Sequence, residues 1–77
     1  MAIEKILIAD DEVLMRNFLV EALTRKGHEA VAVENGEKAM KLLQEQSFDL
    51  VITDMKMPGI TGMDLLKFAK EVSPGTL

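Results

Sequence analysis

Two short acidic clusters carry the residue types that could do chemistry. Asp54 directly follows the aliphatic run Leu50-Val51-Ile52-Thr53 and precedes Met55-Lys56-Met57-Pro58-Gly59. Asp10 and Asp11 close a second run, Lys5-Ile6-Leu7-Ile8-Ala9. Continuous aliphatic runs bounded by turn residues read as strands buried on both faces. A carboxylate immediately after such a strand sits at its carboxyl end, the rim where open α/β sheets collect ligands. Aspartate also caps turns and helices, and from its own segment alone Asp54 fits that role equally well.

If the two strands are neighbours, Asp10, Asp11 and Asp54 converge on one rim. Two like charges about 4 Å apart repel by several kcal/mol at an effective dielectric near 20. Such a trio therefore calls for a cation or a proton. Hard oxygen donors with open positions suit Mg²⁺, which keeps several waters and bridges carboxylates to phosphate. A carboxylate beside that ion can attack phosphorus and become an aspartyl phosphate. The expected division of labour gives Asp10 and Asp11 the ion and gives Asp54 the phosphoryl group.

The elements needed to position these acids follow from alternating periodicities. After the first strand, Met15, Phe18, Leu19, Ala22 and Leu23 form one helical stripe between about Glu12 and Lys26, with Arg16, Asn17, Glu21 and Arg25 pointing elsewhere. Arg25 and Lys26 in the last turn, with Gly27 just beyond, suit the helix dipole and a left-handed stop. Glu29 to Val33 is a weaker strand in which valines alternate with alanines, the pattern of an edge position. Asn35 is placed to cap a helix running to about Gln46, with Ala39, Leu42 and Leu43 inward. Thr61-Gly62-Met63-Asp64 has capping-box spacing ahead of an amphipathic helix containing Leu65, Leu66, Ala69 and Val72, and Ser73-Pro74-Gly75 ends it. The sum is βαβαβα: a parallel sheet with right-handed crossovers and helices on its faces. Periodicity alone leaves open which strands are adjacent.

Composition narrows the classes. The chain has 77 residues, enough for one small domain. Hydrophobic residues are 48% and aromatics 4%, so the core is aliphatic and methionine-filled. A net charge of −4 without a basic stripe argues against direct nucleic-acid binding by this segment. Cysteine is absent, which removes disulfides and thiolate metal sites. No signal peptide or spanning apolar run is visible, so the expected location is the cytoplasm and no membrane partner is expected.

The acid pair Asp10-Asp11, the phrase Asp54-Met55-Lys56-Met57-Pro58-Gly59, and the helix phrases Asn35-Gly36-Glu37-Lys38-Ala39 and Gly62-Met63-Asp64-Leu65-Leu66 together closely resemble the CheY-like receiver domain of two-component response regulators. The resemblance covers essentially the whole chain. The wording Lys56-Met57-Pro58-Gly59 is most similar to receivers attached to σ54-type transcriptional activators of the NtrC type. The resemblance implies a flavodoxin-like doubly wound parallel sheet, of which residues 1–77 would hold the first three βα units in strand order 2-1-3. It implies that Asp54 is the phospho-acceptor and a sensor histidine kinase the donor. Asp11 and Asp54 would bind Mg²⁺ through their side chains, joined by the main-chain carbonyl of Lys56, with Asp10 acting mainly through water or hydrogen bonds. The domain would be a signalling acceptor and not an enzyme.

The chain departs from the family pattern in lacking the two further βα units that supply a Ser/Thr hydroxyl and a Lys to the phosphoryl oxygens. The third strand then becomes an unpaired apolar edge, and such edges recruit other chains. Self-association through that edge, or by element exchange, is expected. An alternative is therefore an assembly or interaction unit without competent phosphotransfer. A Mg²⁺-dependent phosphohydrolase fits less well, because its two acids would be spaced by one residue after the first strand. His28 reads as a solvated turn residue, Met55, Met57 and Met63 as gap fillers, Lys56 as solvent-facing, Lys38 and Lys41 as an exposed helix face, Asp49 as a loop residue and Asp64 as a helix start.

Overall fold

The computed structural model describes residues 4–54, 59–72 and 75. The order is β1 (Lys5–Ala9), α1 (Val13–Arg25), β2 (Glu29–Val33), α2 (Gly36–Glu45), β3 (Leu50–Thr53) and α3 (Gly62–Val72). All strand pairs are parallel, and the sheet runs β2-β1-β3. The valine–alanine strand is thus an edge, as its weaker pattern predicts. So is β3, which pairs only with β1 among the described residues.

Register explains the two faces. Leu7 lies opposite Val31 and Val51, so these three share the face covered by α2 and α3. There they pack with Ala39, Leu43, Phe48, Leu65 and Ala69 in one buried cluster. Ile6 and Ile8, fully buried, turn to the opposite face with Ala30 and Ala32, beneath α1. Of β3, Val51 alone is buried; Leu50 and Ile52 are half-buried, less than a two-faced strand predicts.

Helix boundaries follow local chemistry. Asn35 Oδ1 accepts from Lys38 N at 2.9 Å, the expected cap of α2. At α3, Thr61 Oγ1 accepts from Asp64 N at 3.2 Å and Asp64 Oδ2 accepts from Thr61 N at 3.4 Å, a reciprocal capping box. Helix α1 ends with Gly27 at φ +90°, while His28 N donates to Leu23 O and Gly27 N to Thr24 O. Those two bonds make a Schellman stop that demands the left-handed backbone glycine adopts freely. His28 is half-buried, and its Nδ1 accepts from Glu4 N at 3.3 Å, so it is tied to the strand entrance instead of simply solvated.

The stripe on α1 departs from expectation. Its half-buried residues are Arg16, Leu19, Val20, Ala22 and Leu23, whereas Phe18 is 66% and Leu14 74% exposed. The helix lies over β1 and β2, and no described element flanks it above β3. Inward placement therefore follows contact with β2, and the Leu14–Phe18 side is left to solvent. Met63, 51% exposed, is likewise no gap filler.

At the amino end of the sheet, Lys5 N donates to Asp49 Oδ2 and Asp49 N donates to Lys5 O, both at 2.8 Å. Asp49 thus locks the entry of β3 onto β1 at the rim opposite Asp54. The Lys5 ammonium stands 5.2 Å from the centroid of the Phe48 ring and bonds Gln46.

Candidate acid centre at the carboxyl ends of β1 and β3

Strand adjacency brings the three acids together. Asp10 N donates to Val33 O at 3.1 Å, one step past the end of the β1–β2 ladder. Asp54 N donates to Ala9 O at 3.0 Å, one step past the end of β1–β3 pairing. Since Ala9 is opposite both Val33 and Thr53, Asp10 and Asp54 emerge level with one another. Asp11 follows in the exposed turn toward α1. One carboxylate oxygen from each of Asp10, Asp11 and Asp54 lies within 4.8 Å of the others. Asp10 and Asp54 are half-buried and Asp11 is exposed. Asp54 does not cap α3, because Thr61 does so seven residues later.

The donor set fits a hard divalent ion. Octahedral Mg²⁺ at about 2.1 Å per ligand sets neighbouring ligands about 3 Å apart. Carboxylate oxygens within 4.8 Å of one another are close enough to share one such ion together with its waters. Asp10 Oδ1 already accepts from Glu12 N at 2.9 Å. The carbonyl of Lys56 lies outside the described residues, as do Met55, Met57 and Pro58.

An open depression beside the acids is lined by Asp11, Glu34, Asn35, Glu37 and Gly59. On its far side Glu34 pairs with Lys38 at i,i+4 spacing. The hydrogen bond and charge of Lys38, with a smaller contribution from Arg16, hold the Glu34 carboxyl below its ordinary range. Two residues that shape this rim escape a reading by residue type. Arg16 Nη1 donates to Asp10 O at 2.8 Å, although arginine in a helix is expected to face water. Its spacing to Leu19, Val20 and Leu23 is the available signal, since it places Arg16 on the inward stripe. Gly36 lets Ile60 pass so closely that an added Cβ would stand 2.7 Å from Ile60 Cβ and 2.9 Å from Ile60 O. The glycine at this point serves close approach of the β3–α3 connection, not an unusual φ.

Comparison with known proteins places the fold in a family. Residues 6–76 match the family described as response regulator receiver domain. The response regulator receiver protein CpdR of Brucella abortus is 41% identical over 71 residues, covering 92% of this chain and 59% of its own. The structure of the response regulator TrrA from Thermotoga maritima, in complex with Mg²⁺-BeF, superposes with a TM-score of 0.87 at 38% identity, covering 94% of this chain and 63% of that one. A complex of the histidine kinase ThkA with TrrA gives a TM-score of 0.87 at 36% identity, over 96% of this chain and 64% of that one. The chain thus spans about 60% of the length of these relatives. The sheet order and its helices are those of the first three units of a flavodoxin-like, doubly wound fold. A match that begins in the second residue of β1 and runs past the last helix takes in every element described, and the chain belongs to the response regulator receiver domain family of two-component systems.

Proposed function

We propose that residues 1–77 form the metal-and-nucleophile part of a receiver, in which Asp54 takes a phosphoryl group from a sensor histidine kinase. The observation that carries this reading is the convergence of Asp54 with Asp10 and Asp11 at one strand end. Asp11 and Asp54 would hold Mg²⁺ through their carboxylates and Lys56 through its carbonyl, with Asp10 assisting through water. When bound, the ion supplies positive charge that screens the anionic nucleophile from the phosphoryl oxygens. Asp54 itself contributes the attacking oxygen. A carboxylate oxygen–phosphorus bond forms as the donor's phosphorus–nitrogen bond breaks, and the leaving imidazole takes up a proton. Asp54 is consumed in each event, so the domain is a signalling acceptor and not a turnover catalyst. The kinase partner is supported by the ThkA–TrrA complex. The acidic balance and the lack of a basic stripe support a role without direct nucleic-acid contact. No helix among the described residues is long and apolar enough to cross a membrane, which fits the cytoplasmic site of action proposed here.

Acetyl phosphate with Mg²⁺ is expected to add one phosphoryl group to the chain, located at Asp54 by fragment mass spectrometry after reductive trapping. An adduct at another residue, or none in the presence of Mg²⁺, would overturn the assignment.

A second reading rests on β3, whose outer edge has no strand beside it among the described residues. The exposed Leu14 and Phe18 add apolar surface to the same molecule. Both features favour self-association of this polypeptide, through the β3 edge or by exchange of elements. Size-exclusion chromatography with light scattering is expected to give a mass above the monomer; a compact, cooperatively unfolding monomer would remove this reading.

A further inference from the structure

The side chain of Arg16 reaches back from the first turn of α1 to a peptide group and not to a carboxylate. Its Nη1 donates to Asp10 O at 2.8 Å, while its own amide donates to Glu12 O at 3.0 Å. The Asp10 carbonyl belongs to the peptide plane that joins Asp10 to Asp11. Asp10 is held on two further sides, by its amide on Val33 O at 3.1 Å and by Oδ1 on Glu12 N at 2.9 Å. Three bonds therefore fix the turn from which both acids of the pair project. Arg16 supplies the only one of the three that comes from a distant side chain.

We propose that Arg16 is a positioning residue for divalent-cation binding: by clamping the Asp10–Asp11 peptide plane it presents both carboxylates toward Asp54. This inference rests on the Mg²⁺ reading above. A bidentate-capable guanidinium suits the task because its donors are rigidly splayed, so one bond also sets the direction of the side chain. The half-buried site of Arg16 strengthens the bond relative to one in open water. Glu34 lines the same open groove as Arg16, Ala32, Val33 and Lys38, and the guanidinium adds weakly to the charge of Lys38 that holds the Glu34 carboxyl below its ordinary range.

The sign of the effect separates positioning from bare electrostatics. Arg16 carries a positive charge close to a cation site, so by Coulomb's law alone its removal strengthens Mg²⁺ binding. Loss of the clamp weakens binding, because residues that orient metal ligands typically contribute tenfold or more to affinity. The two contributions oppose each other, and a net weakening on removal of Arg16 is the proposed outcome.

The experiment is a Mg²⁺ titration of the full 77-residue chain, followed by backbone amide shifts, for wild type, Arg16→Met and Arg16→Lys. Arg16→Met is expected to raise the Mg²⁺ dissociation constant about tenfold. Arg16→Lys, which keeps a cationic donor group for the Asp10 carbonyl, is expected to recover most of that loss. Thermal unfolding in chelator and in Mg²⁺ gives the second readout: the stabilisation conferred by Mg²⁺ should shrink in Arg16→Met, whereas a purely structural role would lower both curves equally. Where Arg16→Met does not fold, Arg16→Gln carries the same comparison. Unchanged or tighter Mg²⁺ binding in a folded variant overturns the proposal. Failure of the wild type to respond to Mg²⁺ would instead overturn the reading beneath it.

Discussion

Asp54→Asn is expected to abolish phosphoryl uptake, weaken Mg²⁺ binding and yet stabilise the metal-free chain. The first two effects follow from the roles proposed above, since an amide neither attacks phosphorus nor offers a full negative charge to the ion. The third follows from the metal-free geometry. Carboxylate oxygens of Asp10, Asp11 and Asp54 lie within 4.8 Å of one another. At about 5 Å two unit charges repel by roughly 1 kcal/mol in water and by more than 3 kcal/mol at an effective dielectric near 20. Asp11 is exposed, so screening keeps the gain near the lower figure, about 1 kcal/mol. The side-chain volume is conserved, and the amide keeps an oxygen that can still accept hydrogen bonds. Urea unfolding in chelator should therefore show Asp54→Asn above wild type, and unfolding in Mg²⁺ should narrow or reverse the order. A variant less stable than wild type in chelator would show that Asp54 serves the fold and not the ion.

Gly36→Ala is the second large effect, and its sign opposes helix propensity. In a solvent-exposed helix the exchange stabilises by up to about 1 kcal/mol, because glycine is the more flexible residue. Here Gly36 is buried at the start of α2, and the new Cβ would stand 2.7 Å from Ile60 Cβ, 2.8 Å from Ile60 Cγ2 and 2.9 Å from Ile60 O. Two of those atoms are fixed to the backbone, so no side-chain rotation relieves them. Overpacking of this kind typically costs 1–3 kcal/mol, and a net loss of about 2 kcal/mol is expected. The displaced segment connects Asp54 to α3, so amide shifts should spread from Ile60 toward Asp54. A gain in stability would mean that the β3–α3 connection yields without cost.

Much of this architecture is legible in the residue order. Apolar runs ending in acids, the Asn35 cap, the Thr61–Asp64 box and Gly27 each act through bonds within a few residues, and each forms as its spacing predicts. The alanines of β2 likewise mark an edge, because a strand paired on one side buries less. What the sequence hides is whatever depends on a distant neighbour. Phe18 looks like core because it is large and apolar, yet among the described residues no element covers it beside α1. Arg16 looks like surface, yet its carbonyl partner lies six residues back across the helix start. Gly36 has an ordinary backbone conformation, so only the arrival of Ile60 explains it. Strand adjacency, on which the acid centre depends, is also a property of the assembled sheet: periodicity permits it and the family resemblance supplies it.

The amides of Asp10 and Asp54 both donate to carbonyls of neighbouring strands. Two of the three acids consequently have no hinge of their own. Widening the gap between them requires sliding one strand along another, which breaks a row of bonds together. Asp11 lies in the turn with its peptide plane held through Arg16, so adjustment to the proposed ion falls to rotation of its exposed side chain, while the backbones of the other two serve as a fixed gauge.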